Sequence, residues 1–222
     1  MTHLVLVHGA FHGPWCFDPL VEILRRRGSM CTTPELPLTS LAADAAAVTR
    51  ALDRLHEPVV LLGHSYGGAV VTVAGVHPRV ERIVLLAALA PDVGEPPSGG
   101  PLEIDEAFSS ALRPSAAGPL EVDPKRAAEL FYPDADPRAA AAAVARLRPG
   151  NTGLPSERIE RAAWRLRPTD YVVCAGDPII LPASQRAFAA RTGAAVHEIP
   201  GDHSPFLARP EALAELILRI AG

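Results

Sequence analysis

No stretch of the 222 residues is apolar without interruption for anything near the ~18 residues that a membrane-spanning helix requires, so no span is expected. Lysine is almost missing: of 21 basic residues, only Lys125 is one. With a formal net charge of −4 and no basic stripe, the composition argues against a nucleic-acid partner. The longest same-sign run, Arg25-Arg26-Arg27, reads as the solvated end of a helix near its negative pole. Cysteine is scarce as well. Cys16, Cys31 and Cys174 are odd in number and show neither CxxC nor ligand spacing, which excludes a disulfide framework. Cys31 and Cys174 lie in apolar runs and read as buried, inert thiols. No metal and no cofactor is expected, and no internal repeat is present. The opening MTHLVLVHGAFHG has no basic stretch and too short an apolar run for a signal peptide, so a cytoplasmic location is the expectation.

What the chain has in plenty is apolar residues, at 48%, which excludes disorder, and proline, at 23 residues. Six short runs have strand character: His3–His8, Ser29–Thr33, Pro58–Leu62, Arg82–Ala87, Asp170–Cys174 and Ala194–Ile199. The first, third, fourth and fifth are near-continuous Val/Leu/Ile, as strands covered on both faces require. Helical periodicity alternates with them over Trp15–Arg27 (closed by Gly28), Leu41–His56 (capped by Thr39 or Ser40), Leu181–Thr192 and Pro210–Ala221. This alternation predicts an α/β fold with a six-stranded, mostly parallel sheet flanked by helices. It breaks once, over residues 91–168, where just over half of the prolines fall. That interval reads as strandless, with short helices at Pro124–Phe131 and Pro137–Leu147, and is expected to be a helical lid inserted into a core of residues 1–90 and 169–222.

The sharpest local pattern is Gly63-His64-Ser65-Tyr66-Gly67, a GxSxG between the strand-like PVVLL and the helical AVVTVAGV. Small residues two positions either side of a serine let strand and helix backbones pass closely at a sharp turn. The turn raises the hydroxyl above the sheet edge and puts the Tyr66 amide at a helix N-terminus, where a developing oxyanion would sit. A serine hydroxyl needs a base. Of eight histidines, His3, His8 and His12 precede the serine, His64 lies inside the turn with its ring directed elsewhere, His56 and His77 fall at the far ends of helices, and His197 lies within a strand. His203, in the loop after the last strand, remains, and chain order and sheet edge both select it. The acid belongs at a strand's C-terminal end between Ser65 and His203. Asp177 is favoured, with Asp92 the alternative, while Asp202 cannot easily reach its own neighbour's ring. A second oxyanion donor is expected from the loop after the first strand, His8-Gly9-Ala10-Phe11-His12-Gly13, as the amide of Ala10, or of Phe11 one position on.

Taken together, HGAFHGPWCF, GHSYGG, GDPIILP and GDHSPFLARPEAL resemble the α/β-hydrolase superfamily, and within it the branch of plant methylesterases and hydroxynitrile lyases with their bacterial esterase relatives. The likeness covers about residues 3–90 and 168–222, and the middle only loosely. It implies an α/β-hydrolase fold, Asp177 as the acid, and the Ala10 and Tyr66 amides as the oxyanion hole. Two positions depart from the lyases of this branch, which carry threonine after the first strand's histidine and lysine after the catalytic histidine. Here Gly9 and Ser204 stand there, which favours ester hydrolysis.

The function expected is that of a serine esterase (Ser65, His203, Asp177) acting on a small hydrophobic ester, methyl esters and lactones included, with no nucleic-acid or membrane partner. Phe11, His12, Trp15, Phe131 and Trp164 are expected around the substrate, with Tyr132 and Phe206 nearby. The rival readings are a non-hydrolytic lyase, cyclase or isomerase on the same scaffold, and a small-molecule receptor.

Overall fold

The computed structural model describes residues 3–116, 118–150 and 157–222. The chain opens with β1 (His3–Val7), a 3-10 turn over Pro14–Phe17, α1 (Asp18–Arg26), β2 (Met30–Thr32), α2 (Leu41–Asp53), β3 (Val59–His64), α3 (Gly67–Ala74) and β4 (Val80–Leu86). The intervening segment holds α4 (Glu106–Ser109), β5 (Leu112–Pro114), β6 (Leu120–Val122), α5 (Pro124–Phe131) and α6 (Pro137–Val144). The chain then closes with β7 (Thr169–Cys174), α7 (Pro182–Thr192), β8 (Ala195–Ile199), α8 (Pro205–Ala208) and α9 (Pro210–Ala221).

All six expected strands form one sheet, in the order β2-β1-β3-β4-β7-β8, with every neighbouring pair parallel. The four near-continuous apolar runs are its four central strands. β1, β3 and β7 are buried at every residue, whereas the edge strand β8 exposes Ala195, Val196 and Glu198. Alternation along each strand divides the core in two. Val5, Val7, Leu61, Leu85 and Val173 face α2, α3 and the intervening segment, while Leu4, Leu6, Val60, Val84 and Val172 face α1 and α9. The order reverses between β1 and β3, so the loops leaving those strands diverge and open a crevice at their C-terminal ends.

Local chemistry explains the helix limits. The hydroxyl of Ser40 accepts from Ala43 N–H at 3.1 Å and starts α2, and Asp123 and Asp136 cap α5 and α6 ahead of first-turn prolines. The run expected as one helix over Trp15–Arg27 is divided, because Pro19 has no N–H to carry an α-helical ladder back into the 3-10 turn. Gly28, at φ +87°, ends it.

Residues 91–168 are not strandless as expected. β5 and β6 pair antiparallel, Leu112 opposite Val122 and Pro114 opposite Leu120. Each strand has three residues, with Pro114 and Pro119 in or beside the turn, too short for alternation to register. Residues 117 and 151–156 of this interval lie outside the described residues. All three cysteines are buried and unpaired. Among the described residues no helix is long and apolar enough to cross a membrane.

Candidate active site

Ser65 sits between β3 and α3 with φ +54°, a left-handed conformation that a β-carbon-bearing residue adopts only where its surroundings enforce it. Its N–H donates to Leu86 C=O at 3.1 Å, and its C=O accepts from Gly68 and Leu89 N–H at 2.9 and 3.0 Å. The turn has no room for larger neighbours. A β-carbon at Gly63 would lie 2.6 Å from Gly67 O, and one at Gly67 would lie 2.5 Å from Val7 O. The Tyr66 backbone begins α3, and its side-chain hydroxyl donates to Asp44 Oδ2 at 2.8 Å. Asp44 is wholly buried, which raises its carboxyl above the usual range, and its other oxygen accepts from Leu38 N–H at 2.7 Å.

His203 and Asp177 are brought together by the loops after β8 and β7. Ring and carboxyl are both buried, and His203 Nδ1–H donates to Asp177 Oδ2 at 2.7 Å. Asp177 Oδ1 accepts from Ile179 N–H at 2.7 Å and Ile180 N–H at 3.1 Å. His64 turns away from Ser65: its Nε2–H donates to the His203 carbonyl at 2.8 Å, with ring centroids 4.6 Å apart. Burial holds His64 well below the usual histidine range, so it stays neutral. Asp202 instead accepts from Asp134 N–H and Ser204 N–H. Asp92, the other acid considered, is taken by Arg165, whose Nε donates to it at 2.8 Å on the protein surface.

Ser65, His203, Ala10 and Tyr66 line one cavity of about 750 Å³ counting its open mouth. Its walls are apolar: Leu89, Phe108, Phe131, Ile179 and Ile180 among them, with no Asp, Glu, Lys or Arg among the described residues that line it. A strand-to-helix serine turn, a buried His–Asp pair and a lipophilic cavity over both form an arrangement suited to nucleophilic attack on an uncharged acyl carbon.

The model of a family described as the alpha/beta hydrolase family matches residues 4–216. The chain belongs to this family. A carbendazim-hydrolysing esterase of Nocardioides sp. (strain SG-4G) is 29% identical over 137 residues, 52% of this chain and 56% of that one, so the chain spans about half the length of this relative. Methylesterase 2 of Arabidopsis thaliana is 25% identical over 267 residues, covering 99% of this chain and 95% of that one. The crystal structure of a pyrethroid hydrolase superposes with a TM-score of 0.85 at 24% identity, covering 100% of this chain and 97% of the other, a likeness of fold. The relatives of this alpha/beta hydrolase include esterases and hydrolases, a plant methylesterase among them, and also norfluorocurarine synthase 2 of Strychnos sp, 26% identical over 98% of this chain and 94% of that one.

Of the side chains expected around the substrate of this hydrolase, Phe11, His12 and Phe131 line the cavity. Trp15 and Trp164 do not, which corrects the expectation. Trp15 stacks on the outer side of His12 at 5.7 Å with Arg146 over its face, and Trp164 is buried behind Pro91, to whose carbonyl its Nε1–H donates at 3.0 Å. Tyr132 and Phe206 stand behind His12 and line a neighbouring crevice instead. Phe108, Ile104, Leu112 and Leu120 also wall the cavity, with no pattern in the sequence to mark them. Gln185, which donates to Asp177, is marked in the sequence only as a polar residue on the α7 face that packs on the sheet.

Proposed function

We propose that this alpha/beta hydrolase is a serine carboxylesterase of small hydrophobic esters, with methyl esters and lactones in range. Ser65 Oγ attacks the carbonyl carbon while His203 Nε2 takes its proton. Asp177 holds the Nδ1–H of the ring and stabilises the imidazolium. The amides of Ala10 and Tyr66 receive the oxyanion, and among the described residues neither N–H has a backbone acceptor. His203 returns the proton to the departing alcohol, leaving Ser65 acylated, and then activates the water that releases the acid. Residues 91–168 serve as a lid, whose Phe108, Leu112, Leu120 and Phe131 close the cavity over the serine.

The observation that carries this reading is the buried His203–Asp177 pair, whose His203 lines one apolar cavity with a serine held at φ +54°. The substrate is a small molecule, with neither nucleic acid nor membrane as partner, and the protein works in the cytoplasm without metal or cofactor. The test is hydrolysis of a p-nitrophenyl ester series, with fluorophosphonate labelling, by wild type and Ser65→Ala. Turnover and label both vanish in the variant if the reading holds. Full turnover by Ser65→Ala would sink it, and labelling without ester turnover would favour the non-hydrolytic reading.

A further inference from the structure

Three buried histidines surround the site without any part in the proton transfers above, and two of them flank the loop that follows β1. His8 Nδ1 lies 2.9 Å from the carbonyl oxygen of Gly9, and His12 Nδ1 lies 2.8 Å from that of Ala10. A carbonyl only accepts, so both rings carry their proton on Nδ1. Each Nε2 is then bare and accepts in turn: His8 from Leu36 N–H at 3.3 Å, His12 from the Tyr132 hydroxyl at 2.7 Å. Burial drives both rings below the usual histidine range, to about 4 for His8 and about 3 for His12, so both remain neutral at ordinary pH.

The consequence follows from peptide geometry. No peptide bond among the described residues is cis, so each C=O points opposite to the N–H of the next residue. Fixing Gly9 C=O with the His8 ring therefore fixes the direction of Ala10 N–H, and fixing Ala10 C=O with the His12 ring fixes Phe11 N–H. The next two carbonyls are tied as well: Phe11 C=O accepts from Arg148 N–H at 2.9 Å, and His12 C=O from Arg148 Nε at 3.0 Å. Four successive carbonyls are thus tied in a loop whose Ala10 and Phe11 line the cavity with Ser65. The restraint is needed, because Phe11 sits at φ +64° and would relax if released.

We propose that His8 and His12 are positioning residues, neutral rings that orient the oxyanion-binding peptides through Nδ1–H bonds to the Gly9 and Ala10 carbonyls. Tyr132 donates to the bare Nε2 of His12 from the lid side and holds the ring against the Ala10 carbonyl; a ring without that donor is free to turn away and release the peptide. The catalytic part of this proposal rests on the esterase reading of the same site; the tautomer part does not.

Four variants and one spectrum test it. His12→Leu removes the donor, and His12→Asn restores an N–H near the position of Nδ1. The expected result is a fall in kcat of about 100-fold for His12→Leu with KM within about threefold, and recovery of most of it in His12→Asn. Tyr132→Phe, which keeps the ring and loses only the hydroxyl, lowers kcat by roughly tenfold, and it decides the matter if His12→Leu does not fold. In ¹⁵N-labelled wild type, His12 shows a protonated Nδ1 and a bare Nε2. Unchanged kcat in folded His12→Leu, equal losses in the Leu and Asn variants, or a protonated Nε2 in the wild type each overturn the proposal. Wild-type turnover that survives in Ser65→Ala overturns the esterase reading alone, and the nitrogen spectrum still decides the tautomer.

Discussion

Gln185 Nε2–H donates to Asp177 Oδ2 at 2.8 Å, the same oxygen that accepts from His203 Nδ1. Gln185 is wholly buried, also donates to Ile180 C=O at 2.7 Å, and through Oε1 accepts from Cys174 N–H at 2.9 Å. One side chain therefore ties both ends of the acid-bearing turn to α7. Gln185→Leu leaves the Cys174 N–H and Ile180 C=O without partners in a dry site, which costs about 1–3 kcal/mol of stability. The turn that holds Asp177 loosens with it, and kcat falls by roughly tenfold. Urea unfolding beside p-nitrophenyl butyrate kinetics checks both parts, and a variant with wild-type values for each refutes the role.

The two candidate acids separate cleanly in their surroundings. Asp177 has four donors on its two oxygens in a buried site, whereas Asp92 is paired with Arg165, a side chain more than half exposed. Asp177→Asn removes the acceptor that fixes the His203 tautomer, and kcat falls by about 10⁴-fold. Asp92→Asn removes a surface pair worth at most about 1 kcal/mol and leaves kcat as it was. Steady-state kinetics on the two variants decides, and a collapse in Asp92→Asn reverses the assignment.

How much of this was legible in the sequence depends on range. The central strands announce themselves as unbroken Val/Leu/Ile runs because both faces are covered, and Ser65, Asp177 and His203 follow from chain order and from the strand ends that carry them. The β5–β6 pair escaped because three residues cannot display a period of two. Cavity walls escaped for a different reason. Aromatic content suggested Trp15 and Trp164, but the lining falls to Phe108, Ile104 and Leu120, whose meeting with Ser65 is decided by how residues 91–168 fold back over the sheet. His8 and His12 were visible as letters, yet their carbonyl partners emerge only from the loop's conformation.

Gly9 marks a close approach. A β-carbon there would lie 2.9 Å from Ser65 Cβ and 3.1 Å from His64 Nδ1. Neither is the free end of a flexible chain, so Gly9→Ala must displace the serine or its neighbour. A shift of about 1 Å at a nucleophile lowers turnover by about 100-fold. The expected signature is a loss in kcat of that order with a small change in melting temperature. Unchanged kcat in the alanine variant means that the loop yields instead.

The cavity wall offers no charge to balance an ionised substrate group, since among the described residues no Asp, Glu, Lys or Arg lines it. Burying a carboxylate there without a partner costs several kcal/mol. A neutral p-nitrophenyl butyrate is accordingly expected to exceed the equally long p-nitrophenyl hemisuccinate in kcat/KM by about 100-fold or more. Comparable values for the two esters would mean that the carboxylate stays in solvent during reaction.

Acid weakens the fold through buried histidines, His3 to a lesser degree than the three around the site. His8, His12 and His64 are buried and held below the usual value of 6.5, His8 to about 4 and His12 to about 3. Below 6.5 the unfolded chain takes up protons on these rings and the folded protein does not, so the unfolded state binds more protons and stability rises with pH. Equivalently, stability is lost as pH falls from about 6.5, by up to about 1.4 kcal/mol per pH unit for each ring, until the folded rings themselves titrate. Asp44 and Asp202, pushed up by burial, act with the opposite sign and offset part of the loss toward the acid end. Urea midpoints are expected to change little between pH 7.5 and pH 6.5 and to fall from there to pH 5 at constant m-value. In Tyr132→Phe, where the His12 ring loses its hydroxyl donor but remains buried, the slope persists while the whole curve shifts down. A flat profile in the wild type would mean that the three rings take up protons in the folded state, which would keep the Nδ1–H donors to Gly9 and Ala10 but remove the bare Nε2 atoms of His8 and His12 that accept from Leu36 and Tyr132.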